Sequence, residues 1–125
     1  MLKIIDETLE ESIIFIPGKS FDFSIRIVRL YNYLCEDKKE LVMSKQLLRC
    51  GTSIGANVKE AIRGQSKADF SAKMCIALKE ANESHYWIRL LYKIDFLTEQ
   101  EFNSIENDII ELIKILSSIC KTSTK

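Results

Sequence analysis

The chain has 125 residues, 46% of them hydrophobic, which is enough apolar material for one core and too little length for a second domain. Its 18 Lys and Arg balance 18 Asp and Glu, so no net charge steers it from a distance toward nucleic acid or acidic substrates. One proline and four glycines are too few chain breakers for many short strands, and the expected fold class is all-α, an antiparallel up-down four-helix bundle.

No basic and apolar leader opens the chain, and no apolar run approaches the ~20 residues of a membrane span, so a cytoplasmic location with no membrane partner is expected. Cys35, Cys50, Cys75 and Cys120 stand apart, without a CxxC pair or a histidine cluster. In that compartment they read as buried reduced thiols.

Residues 1–18 form an N-terminal arm in which Leu2, Ile4, Ile5, Leu9 and the run Ile13 to Ile16 mix with four carboxylates before Pro17 and Gly18 break the chain. Helix and strand both remain open for it, because a short apolar run does not distinguish them. The bundle domain spans 19–120. Its first helix is expected after Ser20, with Phe21, Ile25, Val28, Ile27, Tyr31 and Leu34 inside, and ends in the charged run from Glu36 to Glu40.

The second helix is expected from Leu41 to Gly64, since Leu47, Gly51, Ile54, Val58 and Ala61 alternate at steps of four and three, the spacing of one helical face. Ser66 with Asp69 caps a third helix carrying Phe70, Met74, Ala77, Ala81, Ser84, Ile88 and Leu91 on a heptad seam. Thr98 with Glu101 is a capping box opening a fourth, with Phe102, Ile105, Ile109, Leu112, Leu116 and Ile119 inside. Residues 121–125 read as a disordered tail. Short links make sequential helices antiparallel neighbours.

Residues 19–93 hold 14 Lys and Arg against 8 Asp and Glu, so the middle of the chain is basic between two acidic ends. Within it, Lys45, Arg49, Lys59 and Arg63 fall on one line opposite the second helix's apolar seam. Such a stripe is either a solvated face or a phosphate-contacting face for RNA. Ser53, Asn57 and Glu60 flank it as a polar edge suited either to gripping a ligand or, as is commoner, to hydrogen-bonding a neighbouring helix or subunit. Gly51 and Gly55 allow another backbone to approach closely.

His85 is the only histidine and reads as a half-buried, hydrogen-bonded side chain rather than a metal ligand; no metal, cofactor or catalytic group is expected. On the third helix, Ile76, Trp87, Leu90 and Ile94 lie away from the Ala77, Ala81, Ile88 seam. A helix apolar on both sides must be covered on both, and in so small a chain the second side is expected to meet another subunit.

The runs TSIGANVKEA at 52–61, SKADF at 66–70 and ALKEA at 77–81 lie within a stretch from Gln46 to Leu91 that resembles the bacterial four-helix bundle proteins encoded in intervening sequences of large-subunit ribosomal RNA genes. The resemblance spans about residues 19–120. It implies an antiparallel bundle assembling into a ring, a homopentamer, without known catalytic activity. A more distant likeness, to accessory proteins of diversity-generating retroelements, implies a basic surface holding RNA, with Arg49, Lys59 and Arg63 at the matching positions. The expected role is thus a ring-forming scaffold or adaptor for a protein partner, the alternative being an RNA-binding accessory protein.

Overall fold

The computed structural model describes residues 7–124, which form four helices: α1 (Glu7–Glu36), α2 (Met43–Ile62), α3 (Lys67–Lys93) and α4 (Glu99–Ser123). Leu2, Ile4 and Ile5 of the expected arm lie outside the described residues, as does Lys125 of the expected tail.

Helix α1 begins at Glu7 rather than after Ser20, so Pro17 and Gly18 lie inside it. A proline in a helix interior loses one backbone bond and costs about 3 kcal/mol. Ile16 and Phe23, buried on the same face, contribute about 1.5–3 kcal/mol each and carry the helix through. The Ser20 hydroxyl donates to the Pro17 carbonyl at 3.1 Å.

Helix α2 starts at Met43 and not at Leu41, because Glu40 caps it. The Glu40 carboxylate, in the run expected to be loop, is buried and accepts the backbone N–H groups of Val42, Met43 and Ser44 at 3.1, 3.1 and 2.6 Å. These are orphan donors of the first turn. At the other end, Gly64 sits where a side chain would crowd the Ala61 carbonyl, 3.1 Å from the position of a Cβ.

The two expected caps are in place. Ser66 Oγ accepts the Asp69 N–H at 3.0 Å, and Thr98 and Glu101 make a reciprocal capping box. Helix α4 runs on to Ser123, so residues 121–123 are its last turn rather than a tail.

Each helix packs on its neighbours in the cyclic order α1, α2, α3, α4, which leaves α1 diagonal to α3 and α2 diagonal to α4. The seams expected on α2, α3 and α4 are buried, except that Phe70 and Phe102 are half-buried, the latter stacked on Tyr92 at 4.2 Å. On α1 the expected inner side is only partly inner. Ile27 and Leu34 are buried together with Ile16 and Phe23, whereas Phe21, Ile25 and Val28 face outward.

Candidate interaction surfaces

The rotation of α1 is set by the two glycines of α2. A Cβ on Gly51 would stand 2.9 Å from Ile27 Cγ2, and one on Gly55 would stand 3.3 Å from the Ser20 carbonyl oxygen. The pair therefore admits Ile27 and the α1 backbone at a separation where a Cβ at 51 would force a shift and one at 55 would be tight. With Ser20 and Ile27 turned inward, Ile14, Phe21, Ile25 and Val28 line up on the opposite side at intervals of seven, four and three residues. Phe21 is 65% exposed and Ile14 70%. Beside this stripe lies a largely apolar hollow of about 600 Å³, lined on α1 by Pro17, Gly18, Phe21 and Ser24 and on α2 by Thr52, Gly55, Ala56 and Lys59. The stripe's spacing was readable in the sequence as a second apolar face.

Helix α3, diagonal to α1, carries separate exposed apolar side chains along its length. Of the residues expected there, Ile76 and Ile94, at the two ends of the row, are 41% and 43% exposed, and Tyr86, between them in sequence, is exposed as well. Trp87 and Leu90 are half-buried, with Trp87 packed on the core and its indole N–H donating to Glu83 at 3.1 Å. The four residues thus divide between bundle and surface.

The basic stripe on α2 also divides. Lys45, Lys59 and Arg63 are exposed and pair with no described residue. Arg49 instead reaches across to α3, bonded to Glu83 and 3.6 Å from Glu80. The Trp87 indole, and then Arg49, hold the Glu83 carboxyl below the ordinary carboxylate range. Arg49 therefore ties α2 to α3 and offers little charge to a ligand.

The residues that could have made an active site are not brought together. His85 on α3 meets Glu106 on α4 at 2.9 Å, as a half-buried pair. Glu60 pairs instead with Lys73 at 2.9 Å, and Asn57 donates to the Ser53 carbonyl of its own helix. Among the described residues no group of three or more His, Cys, Asp or Glu could hold a metal ion, and no helix is long and apolar enough to cross a membrane.

The expectation of four reduced thiols is corrected for two of them. Cys75 on α3 and Cys120 on α4 are joined by a disulfide, with Cα atoms 5.4 Å apart. Their sequence separation of 45 carries no pairing signal, and only the packing of α3 on α4 brings them into reach. Cys50 is a buried free thiol, and Cys35 is free and half-buried.

Residues 15–118 match the model of a protein family described as 23S rRNA-intervening sequence protein. A solved structure, of a protein with unknown function from the S23 ribosomal protein family of Bacteroides thetaiotaomicron, is 51% identical to this chain. It superposes with a TM-score of 0.86, over 88% of this chain and 98% of that one. No curated protein matches the chain.

Proposed function

This chain belongs to the 23S rRNA-intervening sequence protein family, and within that family we propose that it is a non-enzymatic assembly protein of the cytoplasm, whose copies join head to tail in a ring that serves a protein partner as scaffold or adaptor. The observation that carries this reading is the pair of unlike apolar features on diagonal helices: the Phe21 stripe with its hollow on α1, and the exposed side chains Ile76, Tyr86 and Ile94 spaced along α3.

Unlike surfaces on two diagonal helices suit a heterologous contact, in which the exposed α3 side chains of one copy seat on the α1 face of the next; such contacts make a ring where the rotation closes. A second copy is the fitting occupant because the same chain supplies both an apolar hollow and exposed apolar side chains that could enter it. Five copies is the order that the family resemblance implies.

Light scattering on the purified chain tests the reading. A single species of several times the 14.4 kDa chain mass supports it, and a species of one chain mass overturns it.

RNA binding is the second reading, and what favours it is the free outward charge of Lys45, Lys59 and Arg63 on one helix. A ring repeats these charges and turns three weak contacts into a multivalent face. Fluorescence anisotropy with a structured RNA decides it. Affinity that falls steeply with salt, and is lost in Lys45→Glu with Arg63→Glu, two positions outside the hollow, supports the reading; salt-independent binding or none removes it.

A further inference from the structure

The Cys75–Cys120 bond plays no part in the proposed assembly, yet it is the one covalent cross-link between side chains of α3 and α4 among the described residues. It sits where α4 ends. Beyond Leu116, this end of α4 is held to the bundle by buried Ile119, by the disulfide, and by the Ser123 hydroxyl, 3.2 Å from that of Ser71.

The four cysteines are not equivalent. Cys50 is fully buried beside Ser84 at 3.3 Å, and burial pushes its thiol up to about 11, which leaves almost no thiolate to react. Cys35 is half-buried beside Ser44 Oγ, at 3.7 Å, with no described cysteine bonded to it. Cys75 and Cys120 alone combine bonding distance with half-buried rather than fully buried residues, the combination that exchange with a small thiol requires.

We propose that Cys75 and Cys120 are a reversible thiol–disulfide exchange site for small disulfides and thiols of the glutathione class, and that the bond latches the C-terminal end of α4 to α3. On closing, one cysteine thiolate attacks a sulfur of the small disulfide and releases one small thiolate. The second cysteine thiolate then displaces the other half. Two protein thiols become one disulfide while one small disulfide becomes two small thiols, the two protons passing from the protein thiols to the released thiolates. Opening is the reverse reaction. In the open state, Ile119 and the Ser71–Ser123 contact hold the end of α4 without a covalent tie.

The experiment uses the full chain equilibrated over a series of reduced to oxidised glutathione ratios, quenched in acid, alkylated in denaturant and read by peptide mass. Cys75 and Cys120 are expected to convert together, with a midpoint inside the series, while Cys35 and Cys50 stay alkylated throughout. The oxidised chain is expected to melt about 10 °C above the reduced one, because the bond closes a long loop in the unfolded chain. Cys75→Ser and Cys120→Ser are expected to melt at the reduced value in either buffer. A pair that stays bonded at every glutathione ratio and opens only in excess dithiothreitol is a static staple and overturns the proposal. Independent alkylation of the two cysteines, or equal melting of the two forms, overturns it as well.

Discussion

Gly55 of α2 lies under the Ser20 carbonyl of α1, so close that a Cβ at position 55 would stand 3.3 Å from that oxygen. Together with the contact between Gly51 and Ile27, this approach decides which way α1 is turned. Phe21, the residue after Ser20, is turned outward as a consequence. The outer apolar stripe is therefore the other side of a packing constraint within the bundle.

Replacing Gly51 with Leu forces a side chain into the space of buried Ile27, whose Cγ2 lies 2.9 Å from the new Cβ. Overpacking of this kind costs about 1–3 kcal/mol, more than the ~1 kcal/mol of helix propensity that the glycine gives up. Thermal unfolding of Gly51→Leu should show that loss. Adding Ile27→Ala should recover part of it, since the two residues share one space.

How much of the fold was legible follows from the same contact. Helices α2 and α4 each have one apolar seam, and on α3 the run Met74–Ala77–Ala81–Ser84–Ile88–Leu91 keeps an unbroken heptad spacing that the second side lacks, so their inner faces could be read from spacing alone. Helix α1 has two, Ile16–Phe23–Ile27–Leu34 and Ile14–Phe21–Ile25–Val28, and periodicity cannot rank them. What ranks them is the fit of Ser20 and Ile27 to a glycine pair on another helix, a tertiary fact. Pro17 was over-read for a related reason, since the burial of Ile16 and Phe23 outweighs its local cost. On the candidate surfaces, Ile76 and Ile94 stood where spacing placed them. The ion pairs of Arg49 were not legible, because its carboxylate partners lie 31 and 34 residues away on α3.

Glu40 gives a pH-dependent prediction. Burial pushes its carboxyl up, but the N–H groups of Ser44, Met43 and Val42 outweigh that and leave it below the ordinary value of 4.5. A carboxylate with a depressed folded pKa adds stability that is fully present above the unfolded value and is lost as pH falls through the folded one. Glu40→Gln should therefore cost about 1 kcal/mol near neutral pH. The melting temperatures of variant and wild type should converge as pH falls below 4.5. A difference that stayed constant down to pH 2 would place the effect elsewhere.

Arg49 and Lys45 should behave differently although both lie on the α2 stripe. Arg49→Ala removes half-exposed pairs with Glu80 and Glu83, worth no more than about 1 kcal/mol of stability. It should leave any salt-dependent RNA affinity nearly unchanged, because that cation is already engaged. Lys45→Glu should do the opposite, sparing stability and weakening any RNA affinity. Urea unfolding and RNA anisotropy on the two variants separate the two roles.

The most direct test of assembly through unlike surfaces uses two variants whose changes lie on exposed positions and should leave each chain folded: Ile25→Glu on α1 and Ile76→Glu on α3. Each has lost one surface and kept the other, so by light scattering each alone should have the mass of one 14.4 kDa chain. Mixed in equal amounts, the intact α1 face of one meets the intact α3 side chains of the other, and the predicted mass is that of two chains. A mixture that stays at the mass of one chain, or variants that assemble as the wild type does, would contradict the account.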